Sequence, residues 1–174
     1  MLVLVVGPSG AGKDTLLGTA KQVLAHDRRF HFVRRIITRP VDAGGEAHEA
    51  VTEAEFARRD FALRWRAHGL SYGIPADVID GRRIAVANVS RTVIVEAVHR
   101  FDARVIEVTA PPEVLAARLG ARGREGTADV AMRLARSISL PGDVRVETVV
   151  NDRSVAEGVA RFVAALNRAA SAVP

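Results

Sequence analysis

Val3-Leu4-Val5-Val6-Gly7-Pro8-Ser9-Gly10-Ala11-Gly12-Lys13-Asp14-Thr15 joins an apolar run to a glycine-rich turn and the opening of an amphipathic segment. A buried strand, a glycine-rich turn and a helix in that order are the context of a phosphate-binding P-loop. Glycines at 7, 10 and 12 let the backbone fold tightly, so that successive N–H groups face one anion. The helix N-terminus behind them adds partial positive charge, and Lys13 can reach the outer phosphates. Gly7, Pro8, Ser9, Gly10, Ala11, Gly12, Lys13, Asp14 and Thr15 are therefore the candidate nucleotide-binding residues. Asp14 breaks the pattern, since a serine or threonine hydroxyl normally meets magnesium there. A carboxylate can bind the cation directly or through water. It can equally leave the metal to Thr15 and water, or serve only the helix dipole.

Composition narrows the classes. A chain of 174 residues, 48% hydrophobic and 26% charged, suits one globular domain over 1–174. No apolar run is long enough to span a bilayer, and Leu2–Val6 is too short for a signal-peptide core. The absence of cysteine excludes disulfides and thiolate metal sites, and fits a cytoplasmic location. The net charge of +5 is carried almost wholly by arginine, with Lys13 and Lys21 the only lysines. These arginines are dispersed, aromatics are 5%, and no nucleic-acid motif is present. Small anionic substrates are expected rather than nucleic acid or a membrane.

Strand and helix patterns alternate along the chain, which predicts a mostly parallel sheet covered by helices. Helices are expected over 14–26, from Thr52-Glu53-Ala54-Glu55 (a capping box) to about Arg59, after Ser90, from Pro111-Pro112, over 127–138, and after the Ser154–Glu157 capping box. Extended segments are expected at 32–37, 62–65, 70–73, 83–88, 105–108 and 144–150.

Three polar regions exceed what a core needs. Thr38-Arg39-Pro40 and Gly45-Glu46-Ala47-His48 follow a strand end, where open α/β sheets bind ligands. In Arg64-Trp65-Arg66 the arginines share one strand face and the indole takes the other, so Trp65 is read as core. Arg118 and Arg122, four apart, share a helix face, as do Arg133 and Arg136 at three apart, with Gly123 and Gly126 between the pairs. Stacked like charges destabilise a helix, which is understandable if phosphates sit opposite. Mobile arginine lids play that part in phosphoryl transfer.

Gly7 to Lys13, Thr38-Arg39-Pro40, Gly45-Glu46, Tyr72-Gly73, Arg122-Gly123-Arg124 and Val150-Asn151-Asp152 follow the order of guanylate kinases, and the resemblance covers nearly the whole chain. More closely, the chain resembles the ribose 1,5-bisphosphate phosphokinase family. That likeness runs through Gly12-Lys13-Asp14, Ile37-Thr38-Arg39, Glu46 with His48, Trp65 with His68-Gly69-Leu70, Tyr72-Gly73, Asn88 with Ser90-Arg91, and Arg122-Gly123-Arg124-Glu125. The resemblance implies an α/β P-loop kinase fold: a mostly parallel central sheet with helices on both faces, a small acceptor-binding insertion at about 33–88, and an arginine-rich lid at about 118–138.

It also implies transfer of the ATP γ-phosphoryl group, with Mg2+, to the 1-phosphate of ribose 1,5-bisphosphate, giving 5-phosphoribosyl 1-diphosphate and ADP. Lys13 and the loop amides would hold ATP phosphates, and Arg118, Arg122 and Arg133 would meet transition-state charge. Asn151 resembles an adenine contact. Arg39 and Tyr72 would hold the acceptor phosphate, with Glu46, Asn88 and Ser90 beside it. Arg64 occupies the place where guanylate kinases carry a glutamate that accepts from guanine. A donor-only cation there suits a phosphate instead. The alternatives are a nucleoside monophosphate kinase and a catalytically silent, protein-binding relative.

Overall fold

Five parallel strands carry the core, in a computed structural model that describes residues 1–40, 47–120 and 144–171. In chain order these strands are β1 (Leu2–Val6), β2 (Phe30–Phe32), β7 (Ile84–Asn88), β8 (Ala103–Thr109) and β9 (Val146–Val150). Their spatial order is β2-β7-β1-β8-β9, and every neighbouring pair is parallel. β1 lies at the centre and is buried on both faces, which is why it reads as an unbroken apolar run. Val3 and Val5 face α1 (Lys13–Val23) and the C-terminal helix (Val155–Ser171), meeting Leu16, Ala20, Phe162 and Leu166. Leu2, Leu4 and Val6 face the other way, with Ile94 and Ala97 of α3 (Ile94–Arg100). This is the expected α/β arrangement, a parallel sheet with helices on both faces.

A second, four-stranded sheet has the order β4-β3-β6-β5. It combines β3 (Ile36–Ile37), β4 (Glu49–Ala50), β5 (Phe61–Ala67) and β6 (Leu70–Pro75). Ile37, Leu63, Trp65, Tyr72 and Ile74 share a cluster with Leu2, Leu4 and Val6, so this sheet packs over the second face of the first.

The expected extended segment 32–37 is two strands in two sheets. Val33 N–H makes a last bond to the Val86 carbonyl, and three residues later Ile36 pairs with Gly73. The strands expected at 62–65 and 70–73 are longer, because His68 and Gly69 both take positive φ (52° and 74°). That pair of conformations is the type I′ hairpin turn, whose twist lets pairing run right up to the turn. α1 stops at Val23 rather than near His26, and Asp27 Oδ1 then accepts from Arg29 N–H to start the reversal.

Both capping boxes form. Thr52 caps α2 (Glu53–Ala57) with Glu55, and Ser154 exchanges backbone and side-chain bonds with Glu157. Ser90 caps a 3-10 turn (Arg91–Val93) that leads into α3. Pro112 opens α4 (Pro112–Gly120). The helix expected over 127–138 lies outside the described residues.

Candidate functional site

β1 ends at the centre of the parallel sheet, between β7 and β8, and the P-loop leaves it at the carboxyl edge. Such a position is where open α/β sheets place ligands. Two glycines there are required by space and by conformation. A Cβ on Gly7 would lie 2.0 Å from the Val108 carbonyl oxygen, and Gly12, at φ 87°, is the N-cap of α1. Lys13 Nζ donates to the Gly7 and Pro8 carbonyls at 2.7 and 2.9 Å, which holds the ammonium over the loop.

The loop is braced from behind by Asn151, only 6% exposed, whose Nδ2 donates to the Ala11 carbonyl at 2.8 Å. Two glycines make the slot for this amide. A Cβ on Gly12 would sit 2.5 Å from Nδ2, and one on Gly158 would sit 2.4 Å from Oδ1. Asn151 N–H donates to Thr109, and its carbonyl accepts from Arg118 at 2.9 Å. Asn151 and Arg118 thus tie β9, β8, α4 and the P-loop together. This bracing role is additional to the adenine contact that the resemblance implies for Asn151. The neighbouring Asp152 is held below the ordinary carboxylate range, chiefly by its bond from Arg161.

A cavity of about 370 Å3 lies between the P-loop and the small sheet. Gly7, Ser9, Gly10, Gly12, Lys13 and Asp14 form one wall. Arg35, Arg39, Trp65, His68 and Tyr72 form the facing wall, with Asn88 and Ser90 between them. Asn88, at the carboxyl end of β7, donates from Nδ2 to Asp14 Oδ1 at 3.0 Å. The Ser90 hydroxyl accepts from Thr92 N–H as a cap. Arg39 is gripped by His48, which is 3% exposed. Nη2 of Arg39 lies 3.2 Å from His48 Nδ1, and His48 Nε2 lies 3.0 Å from the Arg39 carbonyl. Arginine can only donate, so Nδ1 accepts and the proton sits on Nε2.

Two expectations change here, those for Arg64 and Thr15, while the reading of Trp65 as core holds. Arg64 is exposed and does not line the cavity; it lies with Arg66 on the outer face of β5. Strand alternation puts Trp65 inward, where it belongs to the core and to the cavity wall together. Thr15 is exposed and absent from the cavity wall, one residue around the helix from Asp14. Glu46, Arg122 and Arg133 lie outside the described residues, as does most of the expected lid.

Arg35 is the residue that sequence reasoning missed. Its guanidinium carbon lies 5.9 Å from the Trp65 ring centroid and 5.3 Å from that of Tyr72, and the two rings stack at 5.5 Å. The available signal was alternation, since Arg35, Ile37 and Arg39 are two apart along an extended segment. Among the described residues, no group of three or more His, Asp or Glu gathers to hold a metal. Asp14 supplies one oxygen-bearing ligand beside Lys13. That fits magnesium, which usually takes one or two carboxylates and draws its other ligands from phosphates and water.

No family model matches the chain. A protein named ribose 1,5-bisphosphate phosphokinase PhnN, from Acidiphilium cryptum (strain JF-5), is 50% identical over 171 residues, covering 96% of this chain and 92% of that protein. One of the same name from Methylobacterium radiotolerans is 49% identical over 177 residues, covering 95% and 96%. Among solved structures, a guanylate kinase from Anaplasma phagocytophilum superposes over 97% of this chain and 85% of that one, with TM-score 0.69 and 16% identity. At that identity the structural likeness speaks for the fold alone.

Proposed function

The chain belongs to the ribose 1,5-bisphosphate phosphokinase family, and on that premise we propose that it phosphorylates the 1-phosphate of ribose 1,5-bisphosphate from ATP. The products are 5-phosphoribosyl 1-diphosphate and ADP. Identity sustained over nearly the full length of family members carries this reading. The cavity supports the chemistry, because the P-loop and two arginines, Arg35 and Arg39, face one another across it.

The acceptor is a phosphate oxygen, already largely anionic near neutral pH, so no general base is needed. That oxygen attacks the γ-phosphorus, the bond to the β–γ bridging oxygen breaks, and ADP leaves with that electron pair. The protein's work is to bring two polyanions together and neutralise the transferring group. Lys13 and the loop N–H groups would hold the donor phosphates, and Arg39 with Tyr72 the reacting acceptor phosphate. His48 aims Arg39, and Asn88 orients Asp14. Asp14, rather than Thr15, would hold Mg2+, whose charge would offset that on the phosphates when bound. Arg122 and Arg133 keep their proposed place in a lid, with Arg118 anchoring its near end at Asn151. Glu46 and Ser90 are assigned to the acceptor side. Use of ATP accords with a cytoplasmic location.

Guanine is a poor fit to this cavity. Its N1–H and N2–H2 groups need acceptors, yet Lys13, Arg35 and Arg39 only donate. Asp14, the one carboxylate on the described wall, belongs to the P-loop and is assigned to Mg2+. The case against guanine therefore rests on Arg35 and Arg39, not on Arg64. ADP release measured with ATP plus either ribose 1,5-bisphosphate or GMP tests the reading. Rapid turnover of the bisphosphate and little of GMP is expected; comparable rates would overturn it.

A further inference from the structure

A second cavity, of about 190 Å3, adjoins the first and shares Asp14, Arg35 and Asn88 with it. Its remaining charged lining is Lys21 and Arg34. We propose that this cavity holds the acceptor's non-reacting 5-phosphate, through Lys21, Arg34 and Arg35, and so sets specificity for a sugar bisphosphate. The assignment rests on the reading of ribose 1,5-bisphosphate as acceptor.

Three observations carry it. The first is charge. Three cations from α1 and the β2–β3 connection line one small space against one carboxylate, Asp14, which already accepts from Asn88. An anion is the ligand such a lining favours, and guanidinium groups match phosphate geometry.

The second is connectivity. Arg35 stands on the wall common to both cavities, its guanidinium carbon within 6 Å of two ring centroids (5.9 and 5.3 Å). Packing against rings leaves that side chain little freedom to lose when a phosphate binds. A molecule with a phosphate at each end of one sugar can present one to the P-loop cavity and the other past Arg35. A mononucleotide has a single anionic end and offers nothing to the second cavity.

The third is Gly18. Asp14, Leu17, Gly18 and Lys21 recur at helical spacing on one face of α1, and all four line this cavity. A glycine inside a helix is unfavourable relative to alanine. No packing demands this one, because a Cβ there would meet nothing within 4 Å. Its effect is to leave the cavity wall open.

The test is calorimetric binding of two half-ligands, ribose 5-phosphate and ribose 1-phosphate, alongside turnover of the bisphosphate. Lys21→Met removes a charge, and Gly18→Leu fills the space while favouring the helix, so its Tm should equal or exceed that of the parent. Each should weaken ribose 5-phosphate binding about 10- to 100-fold, the worth of hydrogen bonds to a charged group. Ribose 1-phosphate binding should change less than about twofold, within the half kilocalorie expected of surface substitutions away from a ligand. Equal weakening of both half-ligands, or unaltered ribose 5-phosphate binding, would overturn the assignment. Failure of the parent protein to turn over the bisphosphate at all would overturn the functional reading, and the assignment with it.

Discussion

The two walls of the cleft come from sheets built by different rules. The P-loop wall is fixed by a central parallel strand buried on both faces, with glycines that no other residue can replace. The facing wall belongs to a mixed sheet, two of whose strands are only two residues long. There Trp65, Tyr72 and Arg35 stack on one another, and His48 grips Arg39. Donor chemistry is thus carried by backbone N–H groups and one lysine, and acceptor chemistry by side chains held by other side chains. The first wall should fail through loss of a single group, the second through loss of support.

Lys13→Ala breaks the comparison most forcefully. Removing one preorganised charge from a transferring phosphoryl group should lower kcat by about 100- to 1,000-fold. Acceptor affinity should stay nearly unchanged, because Arg35 and Arg39 are untouched. Steady-state kinetics with both substrates varied checks this, and a matching loss of acceptor binding would mean that the walls are not separable.

On the opposite wall, Gly73→Ala probes support instead of contact. A Cβ at Gly73 would lie 2.2 Å from the Phe61 ring, so the ring must leave its place beside β6. Overpacking of this kind costs about 1–3 kcal/mol. Denaturant unfolding should register that loss, and the acceptor KM should rise while ATP binding persists.

His48→Ala sharpens the same contrast at smaller scale. It frees Arg39 without touching a phosphate, and should raise the acceptor KM about tenfold, the worth of one ordinary hydrogen bond. His48→Asn, which can still offer an acceptor, should restore part of that loss.

Much of the P-loop wall was legible in the sequence because its signals are local. Gly7, Gly12 and Lys13 lie within seven residues, and an unbroken apolar run identifies the central strand. The capping boxes at Thr52 and Ser154 are equally local, since donor and acceptor stand three residues apart. The acceptor wall depends on which face each short strand turns inward, and a shift of one residue reverses the answer. Alternation turns Trp65 inward and Arg64 outward, as the sequence pattern implies, so the acceptor role that the resemblance implied for Arg64 fails on the face its strand presents. Within residues 32–37 the change of sheet is marked only by Arg34-Arg35, which part Phe32-Val33 from Ile36-Ile37 and which one half-buried strand could equally carry. The bracing role of Asn151 was not legible for another reason, as it depends on Gly12 and Gly158, far apart along the chain.

The smallest expected effect lies at the seam between the two sheets. Burial, reinforced by Arg83, pushes the His31 imidazole below its ordinary value of 6.5, against opposing pulls from Asp80 and Asp77. The folded chain therefore binds that proton less readily than the unfolded chain. This contribution to stability is full above 6.5 and declines as pH falls through 6.5, levelling off below the depressed folded value. Unfolding midpoints measured from pH 7.5 downward should fall less steeply in His31→Gln.

The central claim is that the two walls together select a sugar bisphosphate, and quantifying the phosphorylated products formed from ATP with competing acceptors tests it most directly. With ribose 1,5-bisphosphate and GMP supplied together, the account predicts formation of 5-phosphoribosyl 1-diphosphate with little GDP. Formation of GDP at a comparable rate would contradict it.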